Sequence, residues 1–230
     1  MLTLYHHPMS PHSRFVRLAL GEYRIAAELR EEAPWERRHD FLVLNPAGTL
    51  PVLVDADGVV VAGAGPIVEY LDETRGGGLS EHRLMPRSAP DRAEVRRLIA
   101  WFNEKLYAEV TEHLVMEKVY KLQMREIDGD RSPNASAIRA ARANIRYHVR
   151  YVGFLAGQRN WLAGDRISYA DLAAAAHLSV ADYLGEVPWA EDDAAKDWYA
   201  RVKSRPSFRP ILNDIVRGMP PAAAYSDLDF

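Results

Sequence analysis

The sequence contains no cysteine. That absence excludes disulfides, thiolate metal sites, CxxC redox chemistry and a cysteine nucleophile together. No apolar run approaches the roughly 18 residues that suggest a membrane span, and the start MLTLYHHP has neither a basic n-region nor a long apolar h-region. The expectation is a soluble cytoplasmic protein without an integral membrane segment. An excess of one charge is missing too: 29 Lys+Arg against 32 Asp+Glu give a net charge of -3. That is too near neutral for a chain whose main ligand is nucleic acid. What is present is an ordinary globular mixture, 48% hydrophobic and 27% charged over 230 residues, sized for one large domain or two small ones.

Along the chain, Leu2 to Tyr5 reads as a strand and Ser10 to Leu20 as a helix whose N-cap and first turn suit Ser10 and Pro11. A further strand fits Ala27 to Glu31. Pro51 to Val54 and Val59 to Ala62 flank Asp57-Gly58, a strong hairpin signal. Pro66 opens a helical stretch that stops at Gly76-Gly77-Gly78. The Gly- and Pro-rich residues that follow read as a linker. Beyond them Val95, Leu98, Phe102, Leu106, Val110 and Leu114 predict one long amphipathic helix. Helices over Ser136 to Leu155, Leu172 to Tyr183, Asp192 to Lys203 and Phe208 to Arg217 complete a mostly helical second half. Ser168 and Asp171 have the spacing of a capping box, a structural role. The resulting division is 1–76, a linker over 77–90, a helical domain over 91–218 and a tail over 219–230.

Four ordered pieces, LTLYHHPMSPHSRFVRLAL, NPAGTLPVL, GPIVEYLDE and NWLAGDRISYADLAAAA, resemble the cytosolic glutathione transferase superfamily over nearly the whole chain. The resemblance implies an α/β thioredoxin-like domain followed by an all-α bundle, and a cis bond at Leu50-Pro51. In catalytic members a residue at the first helix start donates a hydrogen bond to the glutathione sulfur, and Ser10 occupies the matching place. Serine is equally a preferred N-cap whatever the function, and Ser13 stands one turn on. The family positions for glutathione are Leu50, Pro51, Gly63 and Ala64. At the last two, members usually carry Glu or Gln followed by Ser, which hold the ammonium and carboxylate of the γ-glutamyl group. Gly63-Ala64 offers neither. Losing two charge-assisted bonds of about 1.5–3 kcal/mol each carries a micromolar ligand towards millimolar. No cofactor is therefore expected, and no metal. His6, His7 and His12 read as solvated loop residues, since no carboxylate pair or HxxxH spacing accompanies them.

Ser132 to Asn160 carries Arg139, Arg142, Arg146, Arg150 and Arg159 and no acid. On a helix the first four form a basic stripe, either a partner surface or a solvated face paired with Glu104, Glu109, Glu112 and Glu117. Trp35 reads as a loop aromatic, serving a partner surface or domain packing. The ending YSDLDF, with Asp227, Leu228, Asp229 and Phe230, alternates acids with apolar groups. It suits docking on a basic groove, with a frayed terminus as the alternative. This tail and the eroded glutathione positions narrow the resemblance to a branch of the superfamily that localises with the tubulin-like GTPase FtsZ in alphaproteobacteria. The branch implies a non-catalytic homodimer at the division site that binds FtsZ filaments and bundles or curves them. The alternative is a glutathione transferase acting on small electrophiles through Ser10.

Overall fold

Alternating apolar residues make LTLYH the strand β1 (Leu2–His6), with residues 2, 4 and 6 turned inward. The computed structural model describes residues 1–78, 82–124, 132–216 and 218–227. Helix α1 (Pro11–Glu22) carries the chain from β1 to its parallel neighbour β2 (Ala27–Glu31). A short helix α2 (His39–Leu44) follows, then the antiparallel pair β3 (Val52–Val54) and β4 (Val60–Ala62). The four strands lie in the order β2-β1-β3-β4, a mixed sheet. The peptide bond Leu50-Pro51 at the entry to β3 is cis. Helix α3 (Ala64–Thr74) closes this half.

The second half is helical. Helix α4 begins as Ala89–Ala100 and runs on through π-helical turns at Trp101–Thr111 and Met116–Tyr120, ending with Lys121–Gln123. The sequence predicts a single amphipathic helix here, and the wider turns are the difference. Phe102, Leu106 and Val110 recur at every fourth residue and are all fully buried. Helices α5 (Ala135–Gln158), α6 (Tyr169–Tyr183) and α7 (Asp193–Lys203) follow. The last helix, α8, spans only Arg209–Leu212 rather than the longer stretch read from the sequence. The chain leaves it early, and Asp214 receives both terminal nitrogens of Arg17 at 2.8 and 2.9 Å.

One hydrophobic cluster runs through both halves, from Leu4, Phe15 and Leu53 to Leu106, Leu172 and Trp198. Helix α6 is its axis: every residue from Tyr169 to Tyr183 is buried, the polar Asp171, His177, Ser179 and Asp182 included. Its start is held by the capping box, in which Ser168 accepts from the helix while Asp171 receives the Ser168 N–H at 3.0 Å. Asp171 also accepts from Leu162 N and Trp198 Nε1, both at 2.9 Å, so it is a fully satisfied buried carboxylate. Gly153 lets α5 approach α7, because a Cβ there would overlap the Asp192 carboxylate that caps α7. Among the described residues no helix is long and apolar enough to cross a membrane.

Candidate functional site

The start of α1 is built by its own sequence. Ser10 is the N-cap, and its Oγ accepts from Ser13 N at 3.2 Å. Ser13 is buried and accepts from His7 N at 3.4 Å, which ties the helix to the preceding turn. Ser10 therefore spends an acceptor on the cap, and its hydroxyl donates to no partner among the described residues.

Ser10 lies on the wall of a cleft of 390 Å³ between the two halves. Thr49, Leu50, Gly63 and Ala64 line one side, and Tyr107, Glu112, Met116 and Tyr120 of α4 line the other. Gly63 caps α3 with φ +90°, a conformation that disfavours any side chain. Neither Gly63 nor Ala64 places a hydrogen-bonding side chain on this wall. Of these α4 residues only Glu112 was named from the sequence, as an acid for the arginine stripe and not as part of a cleft. They sit beside the buried row at 106, 110 and 114, and only the seating of α4 against the sheet half turns them towards a shared space.

The histidines overturn the expectation of solvated loop residues. His6 ends β1 and is buried, His7 is buried, and His12 is half-buried on the cleft. Burial lowers both His6 and His7 from 6.5 to about 4, so both are neutral. The His7 tautomer is fixed by its partners: Nδ1 accepts from Met9 N at 3.1 Å, and Nε2 faces Gln123 Oε1 at 3.1 Å. Burial also lowers His12, whose Nε2 donates to the Asn103 carbonyl at 3.0 Å. No group of three His, Cys, Asp or Glu side chains suited to a metal ion occurs among the described residues.

Trp35 sits in a short 3-10 turn, half-buried, with its ring 5.6 Å from His7 and 4.9 Å from Tyr120. It joins the sheet half to α4. The arginines of α5 face other acids than those named from the sequence. Arg142 grips Glu186 at 2.6 and 2.8 Å, Arg146 pairs with Glu191, and Arg150 lies 3.7 Å from Glu191. Of the acids on α4, Glu109 engages Lys105 and His148, and Glu117 engages Lys121. The stripe faces the connection after α6, because α5 lies against it on that side. Arg139 is exposed.

The chain past α8 is pinned down as far as Tyr225. That ring is fully buried, 5.1 Å from Tyr183, and its hydroxyl accepts from Arg14 at 3.1 Å. Asp227 follows at the surface. Leu228, Asp229 and Phe230 lie outside the described residues.

These geometries agree with what the chain is similar to. Residues 4–78 match the family model of the glutathione S-transferase N-terminal domain, and residues 131–206 match that of its C-terminal domain. The chain is 46% identical to FtsZ-localized protein A of Caulobacter vibrioides, covering 99% of this chain and 98% of that one. Among solved structures, a glutathione S-transferase from Sinorhizobium meliloti superposes with a TM-score of 0.96 at 56% identity, covering 100% of both chains. FzlA from C. crescentus superposes with a TM-score of 0.92 at 45% identity, covering 100% of this chain and 99% of that one. The chain belongs to the glutathione S-transferase family.

Proposed function

We propose that the protein is a non-catalytic adaptor on a glutathione transferase scaffold, which binds FtsZ filaments as a homodimer in the cytoplasm at the division site and bundles or curves them. The observation that carries this reading is the 46% identity to FtsZ-localized protein A along essentially the whole of both chains. A two-fold dimer presents each binding patch twice, so one dimer joins two filaments without further contacts. The surface we assign to the partner comprises Trp35, the α5 arginines Arg139, Arg142 and Arg146, and the tail from Asp227 to Phe230. Glutathione is not its cofactor in this reading: Gly63 and Ala64 offer no hydrogen-bonding side chain to the γ-glutamyl end, and the transferase scaffold does not by itself imply chemistry.

A second reading has one observation in its favour. Ser10 lines the cleft at the start of a helix, where the dipole favours a thiolate, and its hydroxyl donates to no partner among the described residues. Calorimetric titration with glutathione separates the two. The adaptor reading expects no saturation below millimolar glutathione, and no loss of function in Ser10→Ala. Micromolar binding, together with conjugation abolished by that substitution, makes the chain an enzyme.

A further inference from the structure

The cleft has a charge character of its own. No lysine or arginine lines it among the described residues. Its one acidic side chain is Glu112, which is exposed and has neither ion pair nor hydrogen bond among the described residues. The carboxylate stands near the Tyr107 phenol, which burial and then Glu112 itself push up. Tyr120 lies on the same wall, its phenol also pushed up by burial. Two tyrosine rings beside a carboxylate are the components that hold an ammonium group. His12 adds an acceptor. Its Nε2 faces a carbonyl and must carry the proton, and the Nδ1 lone pair takes no hydrogen bond among the described residues.

Helix starts pull the other way but weakly. At α1, Ser10 already takes Ser13 N and Arg14 N and Pro11 has no N–H, which leaves only the His12 N–H of the first turn. At α3, Pro66 leaves only the first-turn N–H groups of Ala64 and Gly65. These partial charges stand against one full carboxylate and are screened within a turn. Pro34, Leu50, Val115 and Met116 supply an apolar floor.

We propose that this cleft binds small organic cations, an ammonium group on an apolar body, with Glu112 as counter-ion, Tyr107 and Tyr120 as aromatic walls and His12 Nδ1 as an acceptor. The same features disfavour glutathione, whose net charge is negative.

The test titrates the full chain with phenethylammonium and with 3-phenylpropionate, an anion of nearly the same shape, following amide and side-chain NMR shifts. The cation is expected to bind about tenfold more tightly, the size of one close, partly screened charge pair. Glu112→Gln removes that preference and Glu112→Lys inverts it; both lie on an exposed position, so the fold is retained. Equal or tighter binding of the anion overturns the proposal. So does a preference that survives Glu112→Lys, or a failure of phenethylammonium to saturate at millimolar concentration.

Discussion

Replacing Arg14 by Met tests how the C-terminal segment is fastened to the fold. The guanidinium is fully buried. Its Nε donates to Pro8 O at 2.7 Å, and one terminal nitrogen donates to Ser179 Oγ at 2.9 Å and to Tyr225 OH at 3.1 Å. It also lies 3.6 Å from Asp214 and over the rings of Tyr183 and Tyr225. Methionine keeps much of the volume and removes every one of these bonds. Each charge-assisted bond contributes about 1.5–3 kcal/mol, but removing the arginine also relieves its own desolvation. Asp214 is not orphaned, because Arg17 holds it with two bonds. The net loss we expect is about 3 kcal/mol, read as a fall in the urea midpoint at unchanged slope. Tyr225→Phe removes the hydroxyl alone, and the double-mutant cycle should show coupling of about 1 kcal/mol. A loss below about 1 kcal/mol in Arg14→Met, or strict additivity with Tyr225→Phe, refutes the account of the latch.

Stability should fall with pH in a window set by His6 and His7. Their folded values near 4 lie below the unfolded 6.5. Their contribution is therefore complete above pH 6.5 and is lost as pH falls towards 4. A Tm series should decline across that range, with a smaller decline in His7→Gln, and an unchanged slope in the variant contradicts the assignment. Gly153→Ala should cost about 2 kcal/mol in chemical denaturation, because the new methyl meets the carboxylate that caps α7. Trp35→Ala should destabilise by about 2 kcal/mol through loss of its ring contacts with His7 and Tyr120; a variant of unchanged stability would show that Trp35 does not join the two halves. Removing residues 227–230 should leave the fold intact and weaken FtsZ binding, and wild-type affinity in the truncated chain removes the tail from the partner surface.

Features governed by neighbouring residues were legible in the sequence. The hairpin at Asp57-Gly58, the cap at Ser10 and the Ser168–Asp171 box each depend on a few adjacent positions, and each appears where the sequence puts it. Features set by distant packing were not. His7 looks like a loop residue until Trp35, Tyr120 and Gln123 close over it. The acids facing the α5 arginines come after α6, about 40 residues on, as the 44-residue separation of Arg142 and Glu186 shows. The length of α8 depends on where Asp214 meets Arg17. Of the cleft, Ser10, Leu50, Gly63 and Ala64 were readable through family resemblance. Tyr107, Glu112 and Tyr120 carry no local signal that separates them from an ordinary helix face.

Co-sedimentation of the purified full-length chain with FtsZ assembled in GTP tests the central claim most directly. The account predicts that the chain pellets with the filaments only when GTP is present, and that added millimolar glutathione leaves the pelleted fraction unchanged. A chain that stays in the supernatant with assembled filaments contradicts it.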